Sequence, residues 1–188
     1  DLDKAFVAFN QVIGLNSDDR PLLTDTVEYK PLEIKSLDYE VASVLENSPT
    51  VWLAEQNVNM QEYLKDMAFY TGSYRPYEIR QKEMEQVQLD VASTKKATEQ
   101  ATRSSYYAIK SLEDSYPGAL QNVKVAEENL RITKTKFDIG MATVADVASM
   151  EKALADAQYT VFQMTVNHEY MKLAFHKPWA ASGGAVSE

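Results

Sequence analysis

The stretch 130–146, LRITKTKFDIGMATVAD, decides how this chain folds. A charged helix runs into a glycine, the chain turns within three residues, and a new helix starts on a Thr-x-x-Asp cap. Lys134 and Lys136 fall at the end of the first helix, where cations offset exposed carbonyls, and Gly140 can take the left-handed conformation that closes it. Thr143 can accept from the free amides of the next helix while Asp146 reaches back, the reciprocal capping box. The stretch is the tip of an α-helical hairpin.

The helix leaving that tip carries a long apolar repeat. Val147, Met150, Leu154, Ala157, Val161, Met164, His168, Met171 and Phe175 alternate spacings of three and four, the period of a left-handed coiled coil. A second set, Ala155, Tyr159, Phe162, Val166 and Leu173, lies on the roughly opposite face. An amphipathic helix with one packing partner has one stripe, so two opposed stripes mean partners on both sides. Such a helix belongs in a sheet or tube of helices.

Working outward, 1–15 reads as the end of a helix with Leu2, Ala5, Phe6, Phe9, Val12 and Ile13 on one face, too short to stand alone. Residues 16–35 form a linker with Pro21 and Pro31, including a short extended piece over 27–29. A short helix covers 37–45, and Asn47-Ser48-Pro49 stops it and starts another, since proline suits the first turn of a helix. The helix over 49–70 has a seam of Leu53, Gln56, Met60, Tyr63, Met67 and Tyr70, broken by a turn at 71–76. A single long helix then runs over 77–139. Its seam is Met84, Val87, Val91, Thr94, Thr98, Ala101, Ser105, Ala108, Leu112 and Ser115, resuming through Ala119, Val123, Ala126, Leu130, Thr133 and Phe137. Ser115, Ala119 and Val123 are spaced four and four, a stutter beside Pro117, so a kink or phase change is expected there.

Helix lengths set the arrangement. The long helix has about 63 residues, or ~95 Å, and its neighbours about 22 and about 33, with short turns at its two opposite ends. The shorter two must run antiparallel to it and meet end to end around Pro49 and Phe175, near the kink. The expected fold is all-α: an elongated antiparallel coiled-coil hairpin, one long helix backed by two shorter ones. Residues 1–35 are the end of a preceding helix plus linker, 36–177 the helical repeat, and 178–188 a flexible C-terminal tail.

The pattern Phe137-x-x-Gly140-x-x-Thr143-x-x-Asp146-Val147, preceded by AEENLRI and followed by MEKALADAQYTVF, resembles the second hairpin of the TolC-type outer-membrane efflux family. AFNQVIGL (8–15) resembles that family's junction between its two repeats, and SLDYEVASVLENSPTVWLAEQNV (36–58) the opening of its second repeat. The resemblance implies a component of an efflux or export duct in the cell envelope, outside the cytoplasm. It implies a homo-oligomer whose tip (Phe137, Gly140, Met141, Thr143, Val144, Asp146) engages a periplasmic-adaptor-type protein, and through it an inner-membrane transporter. It also offers Asp146 as a member of an acidic entrance ring, a role that stands beside capping. Ala142 and Ser149 replace the family's basic tip residue and second gate acid, which puts a tightly latched entrance in doubt. Where outer-membrane members insert the strands of a barrel, residues 71–76 are too few for one transmembrane strand of ~9–11 residues. The chain therefore resembles barrel-less relatives, as would suit a Gram-positive envelope, or an engineered deletion. It supplies one repeat and the tail of another.

Composition excludes several classes. With 45% apolar and 25% charged residues, the chain is built for helices and not for disorder, and a net charge of −9 argues against nucleic acid. It has no cysteine, hence neither disulfides nor thiolate metal sites, and no apolar run approaches a bilayer span of ~20 residues. No signal peptide is present, so for an exported protein Asp1 lies downstream of a processing site or of a truncation. His168, in the seam, admits two readings: a histidine that tunes assembly with pH, or a satisfied interface residue. His168-Glu169 has no second histidine four residues on, which excludes the zinc-protease pattern. The methionines Met60, Met67, Met150, Met164 and Met171 recur at seam spacing and read as packing, not soft-metal ligands. No nucleophile–base set or glycine-rich phosphate loop gives an enzyme or a cofactor site anything to rest on. Beside the duct, the other reading is a structural coiled-coil spacer that carries no substrate.

Overall fold

A computed structural model describes residues 2–22, 24, 26–71 and 77–182, without the side chains of 68–71, 77, 78, 181 and 182. Every regular element among the described residues is helical: α1 (Leu2–Ile13), α2 (Leu37–Asn47), α3 (Pro49–Thr71), α4 (Tyr77–Asp138), α5 (Val144–His176) and α6 (Pro178–Ser182). The fold is all-α, as the periodicities require. The turn expected at 71–76 lies, apart from the helical Thr71, outside the described residues. Of the expected tail, 178–182 form α6, and 183–188 also lie outside.

α4, 62 residues and so ~93 Å long, is the element on which α2, α3 and α5 pack. Cross-helix pairs give the direction of α5. Lys134 meets Glu151 at 2.9 Å, Tyr116 meets Thr165 at 3.5 Å, and Glu113 meets His168 at 3.0 Å, so position falls along α4 as it rises along α5. α3 lies on the N-terminal part of α4, held in one place by Lys95–Glu55 at 2.6 Å, and α2 bonds to it through Arg103–Asp38 at 2.7 Å. At the join of α2 and α3, Ser48 is buried between the two helices and Pro49 opens the second, the stop and restart read from the sequence.

On α5 the first apolar stripe is the packed one. All nine of its positions, Val147 through Phe175, are half-buried or buried. α4 corrects the sequence reading in its middle. Ala101, Ala108 and Ser115 face solvent, and the packed residues are Thr102, Ile109 and Tyr116, one position later. The phase slip consequently sits at Thr94–Thr98–Thr102, spaced four and four, and not at Ser115–Val123. Each of these threonines also returns its hydroxyl to the carbonyl four residues back, at 2.8 to 2.9 Å. Along this stretch the neighbour of α4 changes from α3, at Lys95–Glu55, to α2, at Arg103–Asp38, and a helix with successive partners has to rotate its packed face between them. Pro117 lies on an exposed face, and α4 continues through it unbroken.

α3 corrects the reading too. Leu53, Met60, Tyr63 and Met67 are exposed, and Val51, Ala54, Val58 and Gln61 turn inward. On the same part of α4, Met84, Val87, Val91, Thr94 and Thr98 are half-buried.

The linker does more than connect. Residues 26–34 cross the α4–α5 pair as an irregular strap, with no strand over 27–29. Leu32 joins Ile109 and Phe175 in the buried core, flanked by Ile34, Leu37, Tyr106 and Met171. Upstream, α1 has no extensive contact with another helix. It is tied to its own loop by Asn10, whose buried amide donates to the carbonyls of Asn16 and Asp19, both at 2.9 Å.

Candidate functional site

Two places concentrate chemistry. At the hairpin tip, α4 closes on Gly140 with φ +76°; the amide of Gly140 bonds back to Phe137 at 2.9 Å and that of Met141 to Lys136 at 2.7 Å. This paired closure is the Schellman arrangement, and it needs a left-handed residue. Lys136 stands in the last turn as expected, while Lys134 is committed across the hairpin to Glu151. α5 opens with the full capping box: the Asp146 amide donates to the Thr143 hydroxyl at 3.2 Å, and the Thr143 amide donates to Asp146 Oδ2 at 2.8 Å. The Thr143 amide, and then its hydroxyl, hold the Asp146 carboxyl below the usual carboxylate range.

All six tip residues named from the sequence come together in this turn, and the apolar ones are exposed: Met141 at 74%, Val144 at 69%, Phe137 at 42%. Ile139, which the sequence reading did not include, joins them at 66%. Four large apolar side chains projecting from one short turn make a surface suited to contact, since isolated apolar exposure is ordinary but clusters are not.

Apart from the adjoining residues of the chain, nothing lies within 4 Å of a Cβ built on Gly140. Gly140→Val is therefore expected to cost only backbone strain, about 1–2 kcal/mol, without steric clash. Chemical denaturation followed by helicity should show that small loss with the helical signal of the folded chain intact.

The second place is a polar node beneath the strap, which sequence reasoning only touched through His168. His168 is fully buried, with Nε2 3.0 Å from Glu113 Oε1 and Nδ1 3.5 Å from Glu169 Oε1, the latter not aligned as a hydrogen bond. Glu113 also accepts from the Leu32 amide at 2.5 Å and from Lys110 at 2.6 Å. Burial works to raise the Glu113 carboxyl, but the Leu32 amide, Lys110 and His168 together hold it below its ordinary value. Tyr29 of the strap stacks on Tyr116 with ring centres 3.8 Å apart and leans on His168 at 4.8 Å. Burial, and next the charge of Glu113, push the Tyr29 phenol up. The signal for Glu113 was present in the sequence: a seam read through Ile109 places a carboxylate on the packed face.

Among the described residues no group of three or more His, Asp or Glu side chains is arranged to hold a metal ion. No described helix is long and apolar enough to cross a membrane. Met150, Met164 and Met171 lie on the packed face of α5, whereas Met60 and Met67 face outward. No family model matches this chain, and neither a curated protein nor a solved structure does.

Proposed function

We propose that this chain is the helical part of an efflux or export duct of the TolC type that its sequence resembles. In this reading it is a coiled-coil hairpin, a long helix backed by two shorter ones, and several copies stand side by side as the wall of a tube outside the cytoplasm. The observation that carries the reading is the second stripe of α5. With one face of the helix packed on α4, Tyr159, Phe162, Val166 and Leu173 remain 40 to 70% exposed on another, joined by Tyr170. Val125 and Ile132, one heptad apart on α4, are exposed as well. A helix with apolar surface left over after its hairpin has closed is suited to a second helical neighbour. The apolar tip would then dock an adaptor protein that links the duct to an inner-membrane transporter. Asp146, whose carboxylate is exposed as well as capping α5, would contribute negative charge to the entrance.

Phe162→Glu places a charge at the centre of the stripe. Removing a central aromatic from an interface typically costs ~2 kcal/mol or more, so association should weaken by roughly 30-fold with helicity unchanged. Sedimentation velocity over a concentration series reads this. Undiminished assembly of Phe162→Glu would remove the stripe as the interface, and the duct reading with it.

A further inference from the structure

Two charge-free stretches stand at the same height on the hairpin. In a chain that is 25% charged, residues 115–123 of α4 and 157–167 of α5 contain no Asp, Glu, Lys or Arg. Tyr116 meets Thr165 across the hairpin, so the two stretches lie side by side. Each exposes a stripe on the side away from the packed one. On α5 it runs through Ala148, Ala155, Tyr159, Phe162, Val166 and Tyr170. On α4, Ser111, Gly118, Val125 and Ile132 are exposed and recur every seven residues, with Gln121 between.

Gly118 has no explanation inside the molecule. Proline and glycine are the residues least suited to a helix interior, and here they stand together in the middle of α4. Gly118 is not in the left-handed region, so its backbone does not require glycine. Apart from its chain neighbours and the backbone of its own helix, nothing lies within 4 Å of a Cβ built there, so packing does not require it either. The missing side chain leaves a notch on the outer face of α4.

A second copy standing parallel to the first at the same height fits that notch. With α5 of one copy against the outer face of α4 of the next, heights counted from the Tyr116–Thr165 level put Phe162 opposite Gly118 and Tyr170 opposite Ser111. Ala155 then faces Val125, and Ala148 faces Ile132. Large side chains meet small ones in both directions. Lys152 comes level with Glu128, Asn167 with Asp114, and the two charge-free stretches meet, so chains of net charge −9 approach where neither is charged. Slid by one heptad, Phe162 lands on Val125 in one direction, and in the other Ala155 faces Gly118 and leaves a void.

We propose that Phe162 seats in the Gly118 notch of a neighbouring copy, pairing α5 on α4 with no axial offset. This rests on the reading of the α5 stripe as the contact between copies, and it names the surface that the stripe contacts. A heterologous contact without axial rise closes into a ring and does not climb as a filament.

The chain has no cysteine, so introduced ones report the register directly. Gly118→Cys chains mixed with Phe162→Cys chains should form a disulfide between copies under mild oxidation, whereas Ile132→Cys chains mixed with Phe162→Cys chains should not. Gly118→Leu fills the notch with a better helix former. In sedimentation velocity it should weaken association roughly tenfold with helicity unchanged. In the Phe162→Ala background it should weaken association no further, because the leucine grows into the space the ring has left. If Phe162→Glu weakens assembly but Gly118→Leu does not, or if Phe162→Cys bridges to Ile132→Cys and not to Gly118→Cys, the stripe is an interface with another partner surface and this proposal falls alone. A native chain that stays monomeric overturns it together with the duct reading.

Discussion

Phe175→Ala is expected to be among the most damaging single truncations in this chain, costing roughly 3–5 kcal/mol. Phe175 is fully buried near the end of α5 and touches the other two members of the core, Leu32 of the strap and Ile109 of α4. Removing the ring therefore opens a void where three segments meet. Strap, hairpin and α2 should loosen together, because Leu37 of α2 and Ile34 pack on the same cluster. Phe162→Ala supplies the control on the same helix. Phe162 is 57% exposed, and in the unassembled chain its truncation should change stability by no more than about 0.5 kcal/mol. Urea denaturation of the two variants at low protein concentration measures the difference. Equal midpoints would mean that the core is not where the structure puts it.

Glu113→Ala is the second large effect, expected to cost roughly 3 kcal/mol near neutral pH. Its side chain is only 10% exposed, and its loss leaves the Leu32 amide, Lys110 and buried His168 without their shared acceptor. The pH dependence has a definite sign. The folded state holds the Glu113 carboxyl below its unfolded value, so its contribution is fully present above the unfolded value of ~4.3 and is lost as pH falls through the lower folded value. Stability curves of the native chain and of Glu113→Gln should therefore converge on the acid side, below about pH 4, and stay apart at neutral pH. Parallel curves down to the acid limit would show that the carboxylate does not carry the strap.

The sequence announced the turn at 140–146 better than it announced the middle of α4. Gly140, Thr143 and Asp146 leave little choice, because one closing glycine and one reciprocal cap admit a single local geometry. On α5 the packed stripe is made of large apolar residues at unbroken three-four spacing, and it was legible position by position. The middle of α4 was not. There Ala101, Ala108 and Ser115 repeat beside Thr102, Ile109 and Tyr116 with the same spacing, so two adjacent stripes compete, and carrying the seam on from Thr98 by a step of three selects the wrong one. Ile109, the one large aliphatic residue of the two stripes, already pointed to the second of them, and Phe175 and the strap bury it. On α3 too the stripe of Leu53, Met60, Tyr63 and Met67 read as the seam, and the neighbouring stripe of Val51, Ala54, Val58 and Gln61 packs. The strap was invisible for another reason: residues 26–34 have no period, and their order comes from backbone groups bonded to Lys110, Glu113 and Lys172 far along the chain.

End-on electron microscopy of the assembled protein tests the duct most directly. Helices that pack on both faces and close on themselves predict an annulus with an open centre, its wall built from hairpins and its rim from the Phe137–Asp146 turns. Single rods, or a solid bundle with no lumen, would contradict a duct and leave the spacer reading in its place.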